Sequence, residues 1–252
     1  MVSWPVPGTR VTVRYRRPAG SVPPLTDAVG HLLAVDPVVR VRTKTGAVVE
    51  FAPADVVALR TLTDAPVRTS DIRALERAAA AAWPDDEHTW LDGWLLRAGQ
   101  GAGPAANSAM PLDISARATA IPEIVTWYER RGLAPWLAIP ERLLALPPGA
   151  AAEHTEQVLV RDLASVPPGQ PDGGTWRAAV TDAPDGTRWV GLSAPLREAA
   201  LAWGASRGAS RAHVELDDRD TDTITLAASL GFRLHHRRRY VRARDWIPSS
   251  HA

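Results

Sequence analysis

Ser193-Ala-Pro-Leu-Arg-Glu-Ala-Ala-Leu-Ala-Trp203 is followed by Ser210-Arg-Ala-His-Val-Glu-Leu216, by Thr221 to Leu230, and by Gly231-Phe232. This stretch decides the fold. It reads as helix, strand, helix and strand in turn, the alternation expected of a mixed α/β layer structure. Ahead of it, Trp189-Val-Gly-Leu-Ser193 runs almost directly into Pro195-Leu-Arg-Glu, with Gly191 the only nearby glycine. A helix starting at Ala194 would be capped by Ser193 and would lose one amide donor to Pro195.

Residues 8–62 alternate in shorter steps. Arg10-Val-Thr-Val-Arg-Tyr15 alternates polar and apolar residues as a half-buried strand does. Val29–Val35, Val38–Arg42 and Val48–Phe51 follow, separated by the turn formers Asp36-Pro37 and Thr45-Gly46, and Val56–Leu62 could close the set. Short strands with tight turns and no long helix predict a small barrel, SH3-like in style, over residues 1–62. Residues 63–69, around Pro66, read as a linker, and residues 70–252 as the second domain.

The second domain opens on Thr69-Ser70-Asp71, a helix start with an acid in its first turn. Ile72, Leu75, Glu76 and Ala79 continue that helix, and Pro84 stops it. Trp90–Leu96 reads as one strand with Trp90, Trp94 and Leu96 on one face. Pro122 begins a helix that ends at Gly132, and Trp136–Ile139 and Gln157–Val160 read as strands. Thr175–Ser193 reads as a hairpin turning at Pro184-Asp185-Gly186. Residues 147–152 and 164–174, rich in Pro, Gly and Ala, read as loops, and no internal repeat stands out.

With Leu230-Gly231-Phe232 closing it, the tail resembles the back half of the GCN5-related N-acetyltransferase fold. The barrel-like start, Pro66-Val-Arg-Thr-Ser-Asp-Ile-Arg-Ala-Leu-Glu-Arg77 and Asn107-Ser108 after a Gly-rich turn resemble an actinobacterial branch of that family. The resemblance covers most of the chain. It implies an SH3-like barrel followed by a mixed α/β acetyltransferase-fold domain, with acetyl-CoA as cofactor. It places cofactor contacts at Gly191, Ser193, Leu196 and Arg197, and acceptor contacts at Asn107 and Ser108.

Three departures bear on activity. The family's strand ends in an Arg/Gln-x-x-Gly-x-Gly/Ala loop whose amides hold the cofactor pyrophosphate, and that loop is missing here. Counting back from Phe232 through the family's Asn-x-x-Ala-x-x-Leu-Tyr-x-x-Leu-Gly-Phe pattern puts Asp220 at the Asn and Ala227 at the Tyr. Alanine has no proton to give a leaving thiolate. The span Glu141–Gly174 is also short for the usual central strands and acceptor loops.

Other features are read against simpler alternatives. Gly99-Gln-Gly-Ala-Gly103 leads into Pro104 rather than a helix, so it is a turn and matches no nucleotide fingerprint. His235 and His236, adjacent in a strand, would face opposite ways and could not share a metal. Their neighbours Arg237, Arg238 and Arg239 read as a solvated strand face, or as contacts for a partner or nucleic acid. A regular strand would put His236 and Arg238 on the apolar side, so a bulge, a strand end or an acidic partner is expected between Leu234 and Tyr240. Glu215 is the candidate general base, or else part of an acidic turn with Asp217, Asp218 and Asp220. Trp90, Trp94, Trp127, Trp136 and Trp189 occupy expected core positions.

Composition narrows the field. Net charge is +1, which argues against nucleic acid as a partner and leaves a protein partner or a second copy. Cysteine is absent, which excludes disulfides, a thiol nucleophile and thiolate metal sites. No apolar run is long enough for a membrane span, and the first residues do not read as a signal peptide, so a cytoplasmic location is expected. Three readings follow. The first, favoured by the two losses at the cofactor site, is a catalytically degenerate acetyltransferase scaffold, a pseudoenzyme used for binding or assembly. The others are an active acetyl-CoA-dependent N-acetyltransferase and a nucleic-acid-associated module.

Overall fold

The computed structural model describes residues 4–62, 67–83, 87–99, 103–147, 150–170 and 176–246. It divides into two compact units, Met1–Pro66 and Val67–Ala252. Most of the 63–69 linker, Pro84, Gln100–Ala102 of the Gly-rich turn and residues 171–175 lie outside the described residues.

In the first unit five strands follow the alternating segments: β1 (Arg10–Arg16), β2 (Leu25–Ala34), β3 (Val39–Thr43), β4 (Val48–Phe51) and β5 (Val56–Thr61). They form one antiparallel sheet in the order β4-β3-β2-β1-β5. Alternate residues Val11, Val13, Leu32, Val39 and Val41 point to a common core, closed by Phe51 stacked on Tyr15 at 4.0 Å. Gly30 sits where β3 comes nearest: a Cβ there would lie 2.0 Å from the Arg42 carbonyl oxygen.

The second unit holds α1 (Thr69–Ala82), the hairpin β6 (Glu87–Leu91) and β7 (Trp94–Ala98), then β8 (Ser108–Pro111), α2 (Ile121–Glu129) and β9 (Trp136–Pro140). After β10 (His154–Asp162) come the hairpin β11 (Ala178–Asp182) and β12 (Arg188–Leu192), α3 (Glu198–Ser206), β13 (Arg211–Asp217), α4 (Thr221–Ser229) and β14 (Arg233–Arg242). All nine strands form one sheet, β11-β12-β13-β10-β14-β9-β8-β7-β6. The two parallel pairs, β8 with β9 and β12 with β13, are each bridged by a helix, as parallel neighbours require. On one face α2 covers Trp94, Leu96 and Leu137, while α3 and α4 cover Val190, Val214 and Phe232. On the other face α1 covers Val158 and Trp189 through Leu75 and Ala78.

Several expectations are corrected. Trp90–Leu96 is not one strand but a tight hairpin. Asp92 (φ 45°) and Gly93 (φ 83°) form its turn, the geometry an Asp-Gly pair supplies. That turn leaves Trp90 49% exposed, while Trp94 is buried. Trp127 is half-buried beneath the Arg131 guanidinium at 3.7 Å. The helix after β12 begins at Glu198 rather than Ala194, because Arg197 keeps an extended backbone (φ −139°, ψ 139°). Pro195 therefore precedes the helix instead of occupying its first turn. Asp220 caps α4 by accepting from the Thr223 amide at 3.0 Å. Among the described residues no helix is long and apolar enough to cross a membrane.

Candidate functional site

The buried face of α1 carries one charge. Ile72, Leu75 and Ala79 recur at helical spacing, and Glu76, one turn after Ile72, shares their side and is fully buried. A carboxylate placed there needs partners, and β14 supplies them. The Arg238 guanidinium grips Glu76 with two nitrogens, Nε donating to Oε1 at 3.0 Å and Nη2 to Oε2. His236 Nε2 donates to the same Oε1 at 2.8 Å. Arg238 Nη1 also donates to Glu156 Oε2 on β10 at 2.9 Å, and the Tyr240 hydroxyl donates to that oxygen at 2.8 Å.

The expected irregularity in β14 is present, and it explains the histidines. Val158 faces His236 while Leu159 faces Leu234, so His235 is the extra residue of a β-bulge. The bulge turns both imidazoles inward, with the two Nδ1 atoms 2.8 Å apart, and overturns the expectation that adjacent histidines face opposite ways. The acidic partners are Glu76 and Glu156 of the same chain. Arg238 is thus buried, not part of a solvated face. Arg237 and Arg239 lie at the other side near Asp218 and Glu141. Among the described residues no group of side chains is arranged to hold a metal.

Glu215 belongs to this cluster rather than to an acidic turn. On β13, Glu215 and His213 are two residues apart and share a face, and His213 Nδ1 donates to Glu215 Oε1 at 2.8 Å. His213 is fully buried, and among the described residues its Nε2 has no hydrogen-bond partner. It rests on Gly191, where a Cβ would lie 2.8 Å from that nitrogen. Gly191 is therefore the residue that admits the imidazole. Glu76, Glu156, Glu215, Arg97 and Arg238 together line a cavity of about 330 Å³ under α1, walled by Trp83 and Met110.

Charge states follow from these contacts. Burial pushes the Glu76 carboxyl up, but Arg238 and His236 outweigh it and hold the group well below the usual carboxylate range. Burial likewise raises Glu215, and His213 and Arg238 overcome it, so Glu215 is held ionised. His235 is pushed down to about 4, first by burial and then by His236. Burial also raises the Tyr240 phenol. A histidine whose folded pKa is depressed takes its proton in the unfolded chain first. His235 should therefore cost the second unit up to about 3 kcal/mol as pH falls from roughly 6.5 to 4. Urea unfolding at stepped pH checks this: His235→Phe should flatten the fall in stability across that window, before the carboxylates titrate.

The residues assigned from the resemblance are scattered. Asn107 Oδ1 accepts from the Gly99 amide at 3.1 Å and braces the turn before β8, and Ser108 is buried in β8. Neither lines the cavity. Leu196 is buried, Arg197 is exposed, and the Ser193 amide is taken by the Arg177 carbonyl at 3.1 Å. Sequence reasoning missed Glu76, Glu156 and Arg97. The readable signal for Glu76 was an acid inside an apolar helical stripe.

Residues 69–173 and 169–241 match the family described as "Probable histone acetyltransferase Rv0428c C-terminal", and residues 5–60 match "Rv0428c N-terminal Sm-like domain". The chain is 58% identical over 301 residues to "Probable histone acetyltransferase Rv0428c" of Mycobacterium tuberculosis, covering 97% of this chain and 98% of that one. The chain belongs to this family of GCN5-related acetyltransferases. Two solved structures are also similar, each at 13% identity. One is a GCN5-related N-acetyltransferase from Kribbella flavida, matched over 71% of this chain and 96% of that one with a TM-score of 0.41. The other, from Sphaerobacter thermophilus, is matched over 72% and 94% with a TM-score of 0.35.

Proposed function

We propose that this chain keeps the acetyltransferase scaffold as a binding module and does not transfer acetyl groups. The observation that carries this reading is the junction Ser193–Arg197 between β12 and α3. It has no glycine. One of its amides is engaged, one of its residues is proline, and Leu196 is packed in the core. The first turn of α3 carries Glu198, a negative charge where an anion would bind.

In the other parallel pair, the junction between β8 and α2 also lacks glycine and has Glu123 in the first helical turn. The residues present do not fit acetyl-CoA. Ala227, fully buried in α4, adds the absence of a proton donor at that position. What remains is a polar cavity with its charges paired, suited to binding.

One observation favours the active reading. Glu215 is ionised, hydrogen-bonded to His213 and open to the cavity, as a general base for an amine would be. An acetyl-transfer assay that follows thiol release from acetyl-CoA with amine acceptors separates the two. Our reading expects background rate, unchanged by Glu215→Gln. Turnover that Glu215→Gln abolishes would establish the active enzyme.

A further inference from the structure

The whole-chain charge of +1 averages two units of opposite sign. Residues 1–66 hold eight basic and five acidic side chains, whereas residues 67–252 hold 21 and 23. In the second unit the arginines of β14 are engaged within the chain: Arg238 with Glu76 and Glu156, Arg239 with Glu141, and Arg242 with Glu153. The positive excess of the first unit lies instead on one surface.

Strand alternation gathers it there. Val11, Val13, Val39 and Val41 turn inward, so their neighbours turn outward: Arg10, Arg14 and Arg16 on β1, Arg40 and Arg42 on β3, and Arg60 on β5. Among the described residues, Asp27 and Glu50 are the acids of that outer face, and each already meets an arginine, Arg14 and Arg40, at 2.8 Å. Register lines up Arg10, His31 and Arg42 across β1, β2 and β3, with Val48 next on β4. Neighbours in that row stand about 5 Å apart, and no acid lies within it. Basic side chains aligned in this way repel rather than stabilise one another. Arg16 and Arg42 are exposed and make no hydrogen bond or ion pair among the described residues.

The chemistry that answers such a face is a dense row of anions. Its strands turn no aromatic side chain outward, because Tyr15 and Phe51 are stacked at the core. The bases of a single strand would therefore find nothing to stack on. A duplex hides its bases, presents its phosphates, and needs only cations on the protein surface.

We infer that the outer face of the N-terminal sheet binds a nucleic-acid duplex through its phosphate backbone, without reading sequence. Arg16 and Arg42 supply the contacts, and His31 lies in the row between them and Arg10. Lys44, exposed in the turn between β3 and β4, continues β3 two residues beyond Arg42. The site belongs to the first unit alone and is independent of the cavity under α1.

The test is fluorescence anisotropy of a short labelled duplex DNA of arbitrary sequence, titrated with the full chain at stepped salt. With about three phosphates neutralised, affinity should fall roughly fortyfold between about 50 and 200 mM salt. Arg16→Ala combined with Arg42→Ala should lower the slope of log affinity against log salt by about 2. Arg219→Ala, at an exposed site of the second unit, should leave that slope unchanged. Lys44 is the only lysine of the chain, so the duplex should also slow its modification by an amine-reactive reagent, a readout on the wild type that needs no variant. No binding at the lowest salt, a slope unmoved by the double variant, or Lys44 modified as fast with duplex as without it would overturn the inference. Tighter binding of a single strand or of polyglutamate would overturn the assignment to a duplex.

Discussion

Replacing Glu76 by alanine is expected to cost the second unit about 3–5 kcal/mol, a large share of the stability of a typical domain. The reason is not the loss of a favourable pair as such. Glu76 is buried, and its removal takes from the Arg238 guanidinium and His236 the carboxylate that both of them hydrogen-bond, leaving Arg238 with Glu156 and the more distant Glu215. A buried charge without its partner is the costly state. Urea unfolding should show a lower midpoint with the slope unchanged. The double variant Glu76→Leu with Arg238→Met should recover most of the loss, because apolar side chains of similar size remove both charges together. A double variant no more stable than Glu76→Ala would show that the network contributes through packing rather than charge pairing.

Gly30→Ala should be nearly as damaging to the first unit. A Cβ at that position would lie 2.0 Å from the Arg42 carbonyl oxygen and 2.9 Å from the Thr43 Cα, and these are backbone atoms that no rotamer change can move. β2 and β3 would have to separate across the Gly30–Thr43 pairing. Overpacking of this kind typically costs about 1–3 kcal/mol and more where backbone must shift. A unit of some sixty residues has little to spare. Hydrogen exchange on the full chain should show amides of β1 to β4 losing protection while those of β10 and β14 keep theirs. Retained protection in β2 would contradict the packing described.

How much of this could be read from residues alone depends on the range of the signal. The barrel strands were legible because Val11, Val13, Val39 and Val41 alternate and the turns carry their own residues. The α3-β13-α4-β14 tail was legible for the same reason, and the shortness of the β12–α3 junction is a local fact of spacing. The Asp92-Gly93 turn was legible too, but the apolar run around it suggested one long strand. Three things depended on contacts far apart in sequence. Glu76 meets Arg238 across 162 positions, so neither residue predicts the other. The bulge at His235 was inferable as a need, since a regular strand would have buried His236 and Arg238, but its place was set by β10. The order of the nine-stranded sheet lies in crossovers, since β10 follows β9 but pairs with β13, and β14 follows β13 but pairs with β9.

On the reading proposed above, the β12–α3 junction cannot hold acetyl-CoA. Two independent features of the residues bear on it, the five-residue connection without glycine and the acid at the start of α3. Calorimetric titration of the full chain with acetyl-CoA tests it most directly. The account predicts no saturable heat at cofactor concentrations up to about 1 mM, where a binding free energy of roughly −4 kcal/mol would be needed to half-fill the site. A dissociation constant in the low micromolar range, near −8 kcal/mol, and weakened by substitution within Ser193–Arg197, would contradict it.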